Sequence, residues 1–130
     1  MLHSRSELEL FHKLLALNFS YELCPGLRIG RGFADVGFEE YSVLANNKAV
    51  SLSTGKVIEL DEFYQNYYFP ILSSDQIVKE LYARGWDINS CEYVQQRTWE
   101  VKISKDNKSY SENNNSLLIS FLKLLLTSLS

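Results

Sequence analysis

Apolar and polar positions alternate most cleanly in Thr98-Trp99-Glu100-Val101-Lys102-Ile103-Ser104, which puts Trp99, Val101 and Ile103 on one face of a predicted strand. Asp106-Asn107 reads as a two-residue turn that sets Ile103 opposite Tyr110 across a hairpin. Before and after this hairpin the period becomes helical. Ser73 and Gln76 stand at capping-box spacing, with Leu72 and Ile77 where a hydrophobic staple would sit, so a helix opens at Ser74. Gly85 supplies the left-handed residue that ends it after Arg84, and Trp86 folds back on Leu81. Asn113–Ser116 offers N-caps for a closing helix, Leu117–Leu129. Ser74–Ser130 therefore reads as one helix–hairpin–helix unit whose local signals agree with one another.

The closing helix carries more apolar surface than one sheet can cover. Its leucines, Ile119 and Phe121 spread over roughly 220° at 100° per residue, whereas a helix on one sheet face needs a stripe of only about 100°. A second helix, the N-terminal half or another copy of the chain must meet the surplus. This predicts a homodimer, with Phe121 and Leu125 in its interface. A membrane span would need about 20 apolar residues; this run is shorter and contains Lys123, so no membrane association is expected.

The N-terminal half is less regular. Ser4 with Glu7, and Ser6 with Glu9, form two overlapping capping boxes for a helix running to about Leu17 and burying Leu8, Phe11, Leu14 and Leu15. Cys24-Pro25-Gly26 is a turn, and Leu27–Phe38 is punctuated by Gly30, Gly32 and Gly37. A meander follows: Tyr41–Ala45, a turn at Asn46-Asn47, Ala49–Ser53, a turn at Thr54-Gly55, and Val57–Leu60. Asp61–Tyr68 reads as a helical turn or two, stopped ahead of Pro70. The expected fold is α+β, an antiparallel sheet with helices packed on one or both faces in the manner of an α-β-α sandwich. It forms one compact domain or two docked halves, 1–70 and 71–130.

At 130 residues and 45% hydrophobic the chain can bury a core without disulfides or metal. Its net charge of −3 argues against a nucleic-acid partner. Met1-Leu2-His3-Ser4-Arg5 lacks the apolar core of a signal peptide, so a cytoplasmic location is expected, with Cys24 and Cys91 as reduced thiols.

Helix, a Trp99-Glu100-Val101-Lys102-Ile103 strand, a Tyr110-Ser111-Glu112 strand and the Ser116–Leu125 leucine-rich segment follow in an order that resembles small proteins encoded by bacteriophages and prophages. The resemblance covers about Phe69–Ser130. It implies an α-β-α sandwich and a mobile-element accessory protein that binds, and inhibits, a host protein such as a defence component. It carries no catalytic residue across.

Chemistry-bearing residues are sparse. His3 and His12 have no cysteine or carboxylate at ligand spacing, so no metal and no cofactor are expected. Cys24 lacks an activating base in sequence. Asp35, Glu39 and Glu40, then Glu59, Asp61 and Glu62, could pair as acid and base, but read more simply as charged strand and loop edges. With no nucleophile or nucleotide-loop motif, no enzymatic activity is expected.

Two segments stand out. Arg28-Ile29-Gly30-Arg31-Gly32-Phe33 puts two cationic forks beside glycines, a pattern suited to an anion or nucleotide, with Arg28, Gly30, Arg31 and Gly32 as its cradle. The plainer alternative pairs its arginines with Glu39 and Glu40. Phe63-Tyr64-Gln65-Asn66-Tyr67-Tyr68-Phe69 holds too many rings to face inward together, which marks Tyr64, Tyr67 and Tyr68 as interface candidates. As a mere connector the run would pack Phe63, Tyr67 and Phe69 inside.

Overall fold

The computed structural model describes residues 2–33 and 37–130. The chain is mixed α+β, with three α-helices and two antiparallel sheets among the described residues. It divides into two compact units, Met1–Leu72 and Ser73–Ser130.

In the first unit α1 spans Arg5–Ala16. Of the two overlapping capping boxes the chain uses the outer one: Ser4 Oγ accepts the Glu7 N–H at 3.2 Å, and the Glu7 carboxylate accepts the Ser4 N–H at 2.9 Å. Leu8, Phe11 and Leu14 are buried, while Leu15 is half-buried. Five strands follow: β1 Arg28–Phe33, β2 Gly37–Leu44, β3 Lys48–Ser51, β4 Val57–Glu59 and β5 Phe69–Ile71. They lie in the order β4-β3-β2-β1-β5, and α1 packs on β5, β1 and β2. Asn46 and Asn47 both take left-handed φ angles, 61° and 57°, at the β2–β3 turn, a conformation asparagine tolerates better than most residues.

Two elements depart from the expected pattern. Within the glycine-punctuated segment Arg28–Phe33 is strand, and Gly30 there leaves room for a ring: a Cβ would overlap the side chain of Phe69. Pro70 interrupts no sheet either. It sits in β5 opposite Ile29, on an edge strand, where the missing N–H removes no ladder bond on the open side. The helical turn expected before it shrinks to a 3-10 turn, Tyr64–Asn66.

In the second unit α2 covers Ser74–Ala83, β6 Asp87–Val94, β7 Thr98–Lys105, β8 Lys108–Asn114 and α3 Leu117–Leu129. Ser73 and Gln76 form the capping box of α2. At its other end Gly85 has φ 87°, the Gly85 N–H donates to the Tyr82 carbonyl, and the Trp86 N–H donates to the Leu81 carbonyl, each at 3.0 Å. These are the paired bonds of a Schellman ending. Ile103 lies opposite Tyr110, and Ser116 caps α3.

The sheet has one more strand than the hairpin alone. β6 pairs with β7, giving the order β6-β7-β8. α3 packs on β7, β8 and α2, so a helix of the same unit meets its wide apolar surface. Val101 and Ile103 are fully buried beneath it. Trp99, on the same face, is only half-buried. It lies opposite Tyr93 of edge strand β6, and its ring packs at a tilt against that exposed tyrosine, 5.2 Å between centroids.

Candidate functional site

Strand geometry decides which residues of β1 can act together. Side chains alternate between faces with period two, so Ile29, Arg31 and Phe33 share one face and Arg28, Gly30 and Gly32 the other. The cradle expected from Arg28, Gly30, Arg31 and Gly32 is therefore not assembled: arginines three positions apart on a strand point to opposite sides. Gly30 is filled by Phe69, and a Cβ at Gly32 would lie 3.3 Å from Phe38. Both glycines serve packing.

On the α1 side, Arg28 faces Glu40. The Glu40 side chain is almost wholly buried and both its oxygens are engaged. Oε2 accepts the His3 backbone N–H at 3.0 Å, while Oε1 lies 2.6 Å from His3 Nδ1 and 3.4 Å from Arg28 Nη1. This cluster ties the residues ahead of α1 to the sheet. Nearby, His12 lies 5.4 Å, ring to ring, from both Phe38 and Phe69. The two histidines thus play different packing roles, and among the described residues no cluster of three metal-ligating side chains exists.

The opposite face brings the two singled-out segments together. Arg31 Cζ lies 5.3 Å from the Phe33 ring centroid, 5.3 Å from that of Tyr67 and 5.4 Å from that of Tyr68. Its Nη1 donates to the Tyr68 hydroxyl at 3.4 Å. A guanidinium among aromatic faces is attracted by their quadrupoles while its fork of donors stays usable. Tyr68 is buried and Tyr67 is 54% exposed, so one ring forms the floor and the other a wall. Phe63 is also exposed and Phe69 buried. The run therefore turns Phe63 and Tyr67 outward and Tyr68 and Phe69 inward, unlike the expected connector.

Directly across the strand pair from Arg31 stands Glu39, yet its carboxylate is committed elsewhere. It accepts hydroxyl protons from Ser51 at 2.7 Å, Tyr41 at 2.8 Å and Ser53 at 3.4 Å. The bonds from Ser51 and Tyr41 hold the Glu39 carboxyl below its ordinary pKa. Burial, reinforced by the Glu39 carboxylate, raises the Tyr41 hydroxyl. Among the described residues Arg31 makes no ion pair with a carboxylate.

The aromatic wall is anchored from behind. Tyr21 donates its hydroxyl to the Tyr68 carbonyl at 2.5 Å, and the Tyr21 carbonyl accepts from Tyr64 Oη at 3.1 Å and Gln65 Nε2 at 2.6 Å. Burial raises the Tyr21 hydroxyl well above its usual pKa, with neighbouring Tyr64 and Tyr68 adding to the effect. Tyr64 is thus half-buried support and only Tyr67 of the three expected tyrosines is open. Phe121 and Leu125 are buried, because α3 packs on β7, β8 and α2.

The remaining candidates do not converge. Glu39 and Glu40, adjacent in sequence, face opposite sides of the sheet. Glu59, Asp61 and Glu62 are exposed, with Asp61 capping the Phe63 N–H at 2.8 Å. Asp35 lies outside the described residues. Cys24 and Cys91 are exposed free thiols, and partial desolvation pushes the Cys91 thiol up. No helix among the described residues is long and apolar enough to cross a membrane.

Comparison with known protein families, curated proteins and solved structures finds no match for this chain.

Proposed function

We propose that this chain is a non-enzymatic binding protein that engages another protein through the Arg31–Phe33–Tyr67 surface of its first unit. The observation that carries the reading is an arginine held among three rings, two of them exposed, with no ion-pair partner among the described residues. Arginine and tyrosine are the residues on which protein interfaces concentrate their binding energy. The backing of Tyr21, Tyr64 and Gln65 lowers the ordering cost on binding, since the wall is already fixed. Clustered titratable groups are committed to one another, Glu39 to three hydroxyls and Glu40 to His3 and Arg28, which favours binding over acid–base chemistry. The resemblance of the second half to phage and prophage proteins supports a host protein as the partner, a defence component being the natural case.

The test is capture from host-cell extract with the intact chain, Arg31→Glu and Tyr67→Ala side by side. A protein retained by the parent and lost from both variants supports the reading. Equal retention by all three chains overturns it. The alternative of a captured nucleotide is disfavoured by the opposed directions of Arg28 and Arg31. Self-association through α3 has lost its main motive, because α2 meets the apolar surplus; a clean monomer in sedimentation would remove it altogether.

A further inference from the structure

Resting on that reading of the surface, we infer that Arg31 recognises a carboxylate: an aspartate or glutamate side chain of the partner protein, flanked by apolar residues that lie on Phe33 and Tyr67. Three observations fix the class of group. First, the guanidinium has five N–H donors, and its contacts among the described residues are one long bond to the Tyr68 hydroxyl and three ring faces. A planar two-oxygen acceptor matches the remaining fork.

Second, the carboxylate best placed to fill that role from within is withheld. Glu39 stands opposite Arg31 in register, but Ser51, Tyr41 and Ser53 take its oxygens. With those oxygens taken, the Arg31 fork is left to an acceptor from another molecule.

Third, the surroundings are aromatic rather than cationic. Phosphate sites gather several cations or backbone amides, whereas here the walls are Phe33 and Tyr67, 36% and 54% exposed. Such walls suit a carboxylate carried on an apolar surface. The unit as a whole is acidic, so the attraction is local and short-range, and specificity comes from the fork.

The experiment follows the Arg31 side-chain N–H resonance in the full chain during titration with hippurate, which joins a ring to a carboxylate. Neutral hippuramide and inorganic phosphate are titrated in parallel. Hippurate should give a saturable shift, with hippuramide and phosphate giving none. Arg31→Lys, followed through the Tyr67 ring signals, should bind hippurate roughly tenfold more weakly or worse, since a point charge replaces the fork. Equal binding of hippuramide would show that the rings alone do the recognising and would overturn the inference. Phosphate binding as tight as hippurate, or no saturable shift with hippurate, would overturn it as well. These arms use wild-type protein and decide the matter even where the variant misfolds. Should partner capture depend on Tyr67 while hippurate fails, the docking surface stands and the carboxylate falls. The reverse result would leave the anion site and remove the protein partner.

Discussion

In the second unit, one face of the sheet carries Val101 and Ile103 under α3, and the other carries Ser90, Glu92, Glu100, Lys102, Ser111 and Asn113. The sheet of the first unit divides its work differently. Its α1 side buries Glu40 beside Phe69 and Ile71, while its other side buries Tyr41, Ser51 and Tyr68 around half-open Arg31. In the one sheet the buried strand residues are apolar and lie on a single face, and in the other buried apolar and polar residues lie on both. Buried polar groups raise the demand for exact partners, and the first unit meets that demand with hydroxyl–carboxylate and guanidinium–ring contacts. Its candidate site is a by-product of that mixing.

The sharpest way to break the contrast is a pair of substitutions in β7. Ile103→Ala should lower stability by about 2–5 kcal/mol, the range for emptying a buried aliphatic site, while Lys102→Ala stays within about 0.5 kcal/mol. Denaturant melts of the two variants measure it, and similar losses would mean that the faces are not separated. In the first unit Gly30→Ala should be the costly small change, about 1–3 kcal/mol from overpacking against Phe69. Gly32→Ala should lose less, because its nearest neighbour is an edge carbon of Phe38 at 3.3 Å.

Glu40→Gln probes the buried polar side. An amide nitrogen must replace one acceptor facing His3 or Arg28, and a loss of about 1–3 kcal/mol is expected. Its counterpart, Glu39→Gln, should have the smallest effect, present near neutral pH and fading in acid. The folded pKa of Glu39 is depressed, so its contribution is present above the ordinary carboxylate pKa, about 4.3. It is lost as pH falls through the folded value. Wild-type protein should therefore lose melting temperature below that range more steeply than the variant. Parallel curves would show that the three hydroxyl bonds add nothing to stability.

How far the fold can be read from residues depends on the same division. Ser4/Glu7, Ser73/Gln76 and Gly85 announce helix ends because capping is local chemistry, and the Ile103–Tyr110 register follows from alternation and a short turn. β6 is hidden because half of its segment, Asp-Ile-Asn-Ser-Cys-Glu-Tyr-Val, is polar and its alternation breaks where the register shifts between Ile88 and Ser90. β1 and β5 are hidden because glycine and proline ordinarily punctuate chains. Here Gly30 admits the ring of a residue far along the sequence, and Pro70 rests on an edge. The site was legible in parts: Arg31 and Tyr67 stand out as residue types, but their meeting depends on β1–β5 pairing. Nothing beside Glu40 in sequence distinguishes it from Glu39, since its burial comes from His3 and Arg28.

The β1–β5 pairing also sets the order in which the first unit can be built. β6, β7 and β8 join by successive hairpins, and so do β1 to β4, whereas Arg28 meets Ile71 only after the intervening chain has folded back. Loop-closure entropy rises with the length enclosed, and non-local pairings of this kind slow folding. β5 should thus join late, with kinetic φ-values near zero at Phe69 and Ile71. Tyr67 and Tyr68 lead directly into that strand, so Arg31 should gain the Tyr67 wall and the Tyr68 floor only when β5 joins, whereas Phe33 is on its own strand. A nascent or partly opened chain would present the cation without its full clasp, and binding at this surface, as proposed, would then report that the first unit is complete.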